Sequence, residues 1–212
     1  TAIVELIANS WDAGAKKVII EWPKKGVEKF SITDDGHGMT EEQFSKRWTQ
    51  LNYNRRNDQG MNAEIPEDNN IKNTRRVYGR NGKGRFSAFC FGKKSYFIET
   101  MRDDQYYCFQ VKISSGNQPF SYEKIANPII RRVKNAKHGT SVYVEELKHI
   151  GLTEERVRSE IGLRFLTDPD FIVELNGKKV EFNDIDSQKV TDLSFKFGGT
   201  EVLIKAIQTE KS

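Results

Sequence analysis

Near the amino terminus, a glutamate, an asparagine and an aspartate follow each other at helical spacing. Glu5, Asn9 and Asp12 are four and three residues apart, so a helix would place two carboxylates and one amide on one face. A carboxylate there could take a proton from an attacking water, while a metal ion beside the amide holds phosphate groups. The alternative is a solvated polar stripe on an amphipathic helix.

A second group of residues combines acidic side chains with glycines at alternate positions. Residues 32–39 read Ile-Thr-Asp-Asp-Gly-His-Gly-Met and follow a predicted strand. Such glycines let the backbone approach a flat ligand closely, and a carboxylate at the strand end can accept a hydrogen bond from an exocyclic amine. The pattern indicates purine recognition, with a simple Asp-Gly turn as the alternative. His37 is expected to be a turn residue rather than a metal ligand.

A third group is a glycine-rich basic turn that leads into a predicted helix. Residues 79–85 read Gly-Arg-Asn-Gly-Lys-Gly-Arg, and the stretch 69–98 holds eight Lys and Arg residues and no Asp or Glu. Backbone N–H groups at a helix start point towards anions, and the helix dipole favours phosphate. The spacing matches neither a Walker A loop nor a dinucleotide-binding fingerprint. A basic run can also be an ordinary solvated surface.

Hydrophobic spacing predicts the elements that would position these groups. Helices are predicted for 1–13, for the segment that begins with the capping box Thr40–Gln43, for 85–91 and for 153–166. Strands are predicted at 16–22, 27–33, 95–101, 106–113, 140–146, 171–175, 179–182, 193–197 and 201–207. The Asn176-Gly177 pair is a strong hairpin signal.

Composition excludes several classes of protein. Of 212 residues, 36% are hydrophobic and 11% aromatic, which is enough to bury a core and excludes a chain disordered throughout. No apolar run approaches the ~20 residues of a membrane helix. The net charge of +4 is too small for a nucleic-acid-binding tail. Cys90 and Cys108 lack metal-site spacing, so neither a disulfide framework nor a zinc site is indicated, and an intracellular compartment fits best.

The three groups together resemble the motifs of the GHKL ATPase superfamily. Glu-x-x-x-Asn with Asp-Ala, Asp-x-Gly-x-Gly and Gly-x-x-Gly-x-Gly occur in the family's order, and the stretch 137–140, Lys-His-Gly-Thr, looks like its late Gly-Thr motif. The resemblance covers about residues 1–147 and is greatest to the MutL and MORC branch. The expected fold is a Bergerat-type two-layer α/β sandwich, in which helices cover one face of a mixed, mainly antiparallel sheet.

The resemblance implies roles for individual residues. Glu5 would activate the hydrolytic water, Asn9 would coordinate Mg²⁺ between the phosphates, and Asp35 would accept a hydrogen bond from the adenine amino group. Further nucleotide contacts would come from Asp12, Ala13, Gly38, Met39, Gly79, Asn81, Gly82, Lys83, Gly84 and Thr140. Residues 52–78 would be the ATP lid. Histidine kinases generally carry an amide where this chain has Glu5, so the carboxylate favours hydrolysis.

The sequence also leads to expectations about the whole protein. Residues 1–167 are expected to form an ATP-binding domain that is truncated at its amino terminus, and 168–212 the start of a transducer-like or other appended region. We expect a Mg²⁺-dependent ATPase that forms ADP and phosphate. Lid closure and ATP-dependent homodimerisation would operate a DNA- or chromatin-associated machine in the cytoplasm or nucleus, without a membrane partner. The alternatives are a chaperone-like protein clamp and a non-hydrolysing nucleotide-binding interaction module.

Overall fold

A computed structural model describes residues 1–48, 60–71, 74–79, 84–114 and 120–208. Within these ranges there are two sheets, one of eight strands and one of two. The larger sheet contains β1 (Lys17–Glu21), β2 (Phe30–Asp34), β3 (Ser95–Arg102), β4 (Gln105–Ile113), β5 (Phe120–Lys124), β6 (Gly139–Val144), β7 (Ile172–Leu175) and β8 (Lys178–Lys179). The smaller sheet contains β9 (Val190–Phe197) and β10 (Thr200–Ile207).

The larger sheet is mixed and mainly antiparallel. Its strand order is β5-β4-β3-β6-β2-β1-β7-β8. Only β1 and β7 are parallel neighbours; the other adjacent strands run antiparallel. The predicted fold class, an α/β sandwich with this type of sheet, is therefore confirmed.

Three α-helices accompany the sheets in the described ranges: α1 (Ala2–Asp12), α2 (Glu41–Trp48) and α3 (Glu154–Phe165). Short 3₁₀ helices lie at Glu67–Asn69, Gly84–Cys90, Phe182–Asp184 and Ser187–Lys189. The predicted α-helix at 85–91 is thus a 3₁₀ helix. The predicted capping box of α2 is confirmed, because Thr40 Oγ1 accepts from Gln43 N and Gln43 Oε1 accepts from Thr40 N. In the described part of the chain, no helix has the length and apolar character needed to span a membrane.

The main core lies between the helices and one face of the larger sheet. Apolar residues of α1 at helical spacing, Ile3, Leu6 and Ile7, are at most 2% exposed. On α2, Phe44 stacks on Phe109 of β4 with ring centroids 3.9 Å apart. Burial of these faces provides the main driving force for folding, and it fixes α1 against the sheet that carries the candidate site residues.

The opposite face of the larger sheet carries a smaller apolar cluster. Phe97, Cys108 and Tyr143 form it, and Ile125 and Ile130 pack against them. The last two belong to residues 125–138, which join β5 to β6 and are called the strap below. The strap thus covers the sheet face that α1 leaves open.

The first strands of the predicted appended region belong to the larger sheet. β7 pairs with β1, and β8 pairs with β7 through the Asn176-Gly177 turn, where both residues have positive φ as a tight hairpin requires. β9 and β10 pair only with each other among the described strands. A boundary between domains at 167/168 stays a prediction, although the sheet continues beyond it.

Candidate functional site

The carboxyl end of α1 and the loop 34–39 lie in direct contact. A Cβ added to Gly36 would lie 2.8 Å from both Cβ and O of Ala13, so only glycine permits this approach. The backbone N of His37 donates to the carbonyl of Ala13 at 3.0 Å, and Ser10 Oγ donates to Asp34 Oδ2 at 2.9 Å. The structure therefore brings the first two groups of residues together.

Asp34 and Asp35 are neighbours in sequence but have different surroundings. Asp35 Oδ1 accepts hydrogen bonds from the backbone N atoms of Lys16 and Lys17, at 2.7 and 2.8 Å, and so fixes the turn between α1 and β1. Asp34 lies at the end of β2, only partly open to solvent. Burial raises the pKa of its carboxyl to about 6, although bonds from Gly36 N and Ser10 favour the ionised form.

Both carboxylates accept hydrogen bonds from the protein: one Asp35 oxygen from two backbone N atoms, and the two Asp34 oxygens from Gly36 N and Ser10 Oγ. Asp34 pairs in register with Thr140 of β6, another predicted site residue, which is 9% exposed. This position makes Asp34 a second candidate for ligand contact beside the predicted Asp35. The signal for Asp34 was present in the sequence, because the Asp-x-Gly-x-Gly pattern begins at this residue.

Gly38 and Gly139 allow backbone segments to meet beside Asp34. A Cβ on Gly38 would lie 2.1 Å from the carbonyl oxygen of Met101, and one on Gly139 would lie 2.4 Å from that of Asp34. Met39, predicted to shape an adenine wall, is 8% exposed and belongs to the main core. The loop is thus held rigidly on the ends of β3 and β6.

Gly38→Ala is expected to lower the free energy of unfolding by about 2 to 4 kcal/mol, because the added methyl meets a backbone atom and Gly38 has φ of +66°. Urea unfolding monitored by circular dichroism would measure the change. Gly26→Ala is the matched control: Gly26 has φ of +80° but no atom within 4 Å of an added Cβ, so only about 1 kcal/mol should be lost. Equal losses in the two variants would contradict the packing argument.

The glycine-rich third group contacts α1 at both of its described ends. Asp12 is 3% exposed, and its carboxylate accepts from the backbone N atoms of Tyr78 and Gly79 at 2.6 and 3.0 Å. At the other end, a Cβ on Gly84 would lie 2.4 Å from Glu5 Oε2. Asp12 therefore anchors the turn to the helix. Residues 80–83, with the predicted phosphate ligands Asn81, Gly82 and Lys83, lie outside the described residues.

Asn9 lies between these two attachment points on α1. Its side-chain Nδ2 is buried and has no hydrogen-bond partner within the described ranges. An unpaired buried polar group is costly, so such a group points to a ligand. Rotation of the amide by half a turn would present its oxygen instead, the atom that a hard cation such as Mg²⁺ prefers. The side chain therefore fits a cation ligand.

No group of three or more His, Cys, Asp or Glu residues in the described part could hold a metal ion by itself. Mg²⁺ commonly binds through one or two protein groups together with the phosphates of a substrate. A single amide on α1 is compatible with that mode of binding.

The second half of the predicted lid is fixed to the body of the protein. Arg75 is 3% exposed; its guanidinium carbon lies 4.3 Å from the centroid of the Trp11 ring and its Nη1 donates to the carbonyl of Ala15. Asn69 Nδ2 donates to the carbonyls of Gly14 and Asp35, both at 3.0 Å. These contacts do not suit a segment that moves as a whole. Residues 52–59 and 72–73 of the predicted lid lie outside the described residues.

Two histidines complete the surroundings of the loop 34–39. His138 Nδ1 lies 2.8 Å from the carbonyl of Gly36, and its Nε2 lies 2.7 Å from Asp68 Oδ1. His37 faces Arg102, whose Nη1 lies 3.0 Å from Nδ1. Burial lowers the pKa of His37 and Arg102 acts in the same direction, while the hydrogen bond to Gly38 and the charge of Glu64 act in the opposite one. His138 belongs to the stretch 137–140 that resembles the Gly-Thr motif, but its contacts with Gly36 and Asp68 could not be predicted from the sequence.

The chain shows clear similarity to known proteins. A family model described as "Histidine kinase-, DNA gyrase B-, and HSP90-like ATPase" matches residues 1–140. DNA mismatch repair protein MutL of Colwellia psychrerythraea is 47% identical over 45 residues, which cover 21% of this chain and 7% of that protein. MutL of Clostridium beijerinckii is 27% identical over 116 residues, 55% of this chain and 16% of that protein.

A similarity over nearly the whole chain comes from another kind of protein. The putative type II restriction enzyme HgiDII of Herpetosiphon aurantiacus is 23% identical over 203 residues, 92% of this chain and 31% of that protein. The chain thus spans less than a third of the length of these relatives. With the family match over residues 1–140 and three groups of motif residues meeting at α1, the chain belongs to the histidine kinase-, DNA gyrase B- and HSP90-like ATPase family.

Proposed function

We propose that the protein binds ATP with Mg²⁺ beside α1 and hydrolyses it to ADP and phosphate. The observation that supports this most directly is the meeting of three separate sequence groups on one helix. Gly36 packs on Ala13, Gly79 donates to Asp12, and Gly84 lies against Glu5. Such convergence of separate motif groups on one helix is expected of a binding site.

The base of the nucleotide would lie against the end of β2. Asp34 would accept a hydrogen bond from the exocyclic amine of adenine, in place of the predicted Asp35, and Thr140 lies beside it in register. Gly38 and Met39 would remain close to the base through their backbone. A raised pKa is typical of a carboxylate prepared for a ligand in a partly dry pocket.

The phosphates would lie along α1 towards the residues 79–84. Gly79 and Gly84 hold the two described ends of this turn against the helix, and Asn81, Gly82 and Lys83 stay the proposed phosphate ligands. Asn9 is the residue that would hold Mg²⁺, which when bound neutralises phosphate charge. Asp12 would act indirectly, since its carboxylate already binds the backbone of the turn.

Glu5 would accept the proton of the attacking water. Its side chain is exposed on α1 and lies next to Gly84, so it is accessible to solvent at the phosphate end of the site. General bases of this kind typically contribute 10² to 10⁴ in rate, as an order of magnitude. No other proposed site residue combines a free carboxylate with this position.

We further propose that the ATPase operates in a DNA-associated machine inside the cell. The relatives support this, since their names refer to DNA mismatch repair and restriction. Closure of the lid, predicted at residues 52–78, would cover the phosphates, and ATP binding would lead to homodimerisation. Within that range, Asn69, Arg75 and Tyr78 bond to residues 12–15, so these three would keep their positions on closure.

Release of ADP and phosphate, measured with Mg²⁺ and with EDTA in its place, tests the central claim. Turnover that depends on Mg²⁺ is expected. Nucleotide binding without turnover would favour the non-hydrolysing interaction module. Light scattering with a non-hydrolysable ATP analogue tests dimerisation separately: the mass should double, and an unchanged mass at saturation would contradict the dimer.

A further inference from the structure

The strap is held firmly on the sheet by a buried carboxylate. Glu99 of β3 is 0% exposed, and its Oε2 accepts hydrogen bonds from the backbone N atoms of Arg132 and, at 3.2 Å, of Val133. Arg132 Nη1 lies 2.6 Å from Glu21 Oε2, and Val133 is 1% exposed. The strap is therefore a fixed surface feature, although it has no helix or strand.

One residue of the strap projects almost completely into solvent. Ile129 is 98% exposed, the highest value among the exposed large hydrophobic residues of the described part. Pro128 before it is buried and Ile130 after it packs on the sheet. Because both neighbours are attached, Ile129 cannot turn inwards without moving the strap. A single exposed apolar side chain is common on protein surfaces, so the charges beside Ile129 must decide whether this position suits a partner.

The strap itself contains basic residues and no acidic ones. Residues 124–144 include five Lys and Arg and no Asp or Glu. Three of the five form ion pairs: Lys124 with Glu41, Arg132 with Glu21 and Lys137 with Asp68. Arg131 and Lys134 are exposed and form no ion pair with any described residue. Arg131 Nε donates to the carbonyl of Pro128 at 3.2 Å, which holds its guanidinium on the strap without neutralising its charge. Two cations within five residues of Ile129 are therefore available to anions.

We propose that the strap is a binding surface for double-stranded DNA, in which Arg131 and Lys134 contact phosphates and Ile129 lies in a groove. Cations that neutralise phosphates supply most of the sequence-independent affinity for DNA, and apolar side chains flanked by cations are inserted between base steps by several DNA-binding proteins. A single isoleucine offers too little apolar surface to hold a protein on a membrane. The inference rests on the proposed DNA association and gives it a location.

The position of the strap connects this surface to the candidate nucleotide site. The strap ends at His138, which contacts the carbonyl of Gly36, and continues into Gly139 and Thr140 of β6. DNA bound at Ile129 would thus contact a segment that also borders the nucleotide. To keep the two sites separable, DNA binding is best measured without nucleotide.

The test is a titration of a labelled DNA duplex with the purified protein, followed by fluorescence anisotropy at salt concentrations from about 50 to about 200 mM. R131Q/K134Q is expected to weaken binding about 10- to 100-fold and to reduce the slope of log affinity against log salt by about 1.8, because two phosphate contacts are lost. I129S should weaken binding severalfold with an unchanged slope, since no charge is removed.

The matched control is K93Q/K94Q, which removes the same charge from an exposed pair before β3 and should leave affinity and slope near those of the parent protein. If R131Q/K134Q behaves like this control, or if the parent protein fails to bind the duplex at the lowest salt, the inference is wrong. Strap-dependent binding to anionic phospholipid vesicles but not to DNA would also overturn it. ATP turnover of the same samples separates the two proposals: strap-dependent DNA binding without turnover contradicts only the ATPase.

Discussion

Replacing Glu5 with glutamine is expected to reduce ATP turnover by ~10²- to 10⁴-fold while leaving ATP affinity nearly unchanged. Glutamine keeps the size of the side chain and its contact with Gly84, but it cannot accept a proton from water. Single-turnover release of ADP would measure the rate, and titration with a fluorescent ATP analogue would measure the affinity. A lower rate at equal affinity is the signature of a group that acts only in the chemical step.

Glu28→Gln provides the control for this experiment. Glu28 is an exposed carboxylate on the turn between β1 and β2 and is not part of the proposed site, so its replacement should leave turnover unchanged. If Glu5→Gln hydrolysed ATP at the parental rate, another base would have to be found. If it lost affinity as strongly as rate, Glu5 would be a binding residue instead.

Local sequence signals predicted most of the elements correctly because their causes are local. The capping box at Thr40 starts α2, and the Asn176-Gly177 pair forms the tight turn between β7 and β8. Asp103 and Asp104 adopt positive φ in the hairpin between β3 and β4, at the predicted turn. In each case, the side chains and backbone preferences of a few adjacent residues determine the geometry.

Features that depend on distant residues could not be read from the sequence. The parallel pairing of β7 with β1 joins residues about 155 positions apart, and no local signal reports it. The 3₁₀ form of Gly84–Cys90 and its contact with α1 could not be predicted from the local sequence. The anchoring of Arg75 over Trp11 also required the folded structure, which is why the predicted lid, residues 52–78, includes this anchored residue.

In the candidate site, too, the positions of some residues could be predicted from the sequence, whereas their contacts with distant residues could not. The sequence order placed Glu5, Asn9 and Asp12 on one helix face, but it could not show that the Asp12 carboxylate is occupied by Tyr78 and Gly79. Asp34 and Asp35 are identical in type and adjacent, and their different hydrogen-bond partners are visible only in the folded structure. The choice between these two carboxylates leads to the most discriminating experiment on the site.

Asp34→Asn is expected to weaken ATP binding at least ~100-fold, equivalent to about 2.7 kcal/mol, because the amide offers a donor or a weaker acceptor to the adenine amine. Asp35→Asn should change ATP affinity little. It should instead lower the free energy of unfolding by about 1 to 2 kcal/mol, since an amide accepts more weakly from the backbone of Lys16 and Lys17. Calorimetric titration with ATP would compare the variants. Loss of affinity in the Asp35 variant alone would restore the assignment made from the sequence.

Without nucleotide, the Asp34→Asn variant should be more stable than the parent protein. Burial raises the pKa of the Asp34 carboxyl from 3.8 to about 6 in the folded protein, so the folded state binds this proton more tightly than the unfolded state. The protonated Asp34 carboxyl therefore contributes to the free energy of unfolding in full below pH 3.8, and this contribution is lost as the pH rises through about 6. At pH 7 the ionised group then costs up to about 3 kcal/mol.

Asparagine cannot ionise, so Asp34→Asn should raise the free energy of unfolding by about 1 to 3 kcal/mol at pH 7, and by much less at pH values near 4. Urea unfolding of the two proteins across this range would measure the difference. A gain of stability that grows with pH, combined with loss of ATP affinity, would mean that the protein retains a destabilising carboxylate because the ligand requires it. A pH-independent difference would show instead that Asp34 is already well solvated, and its role in holding the base would lose its physical support.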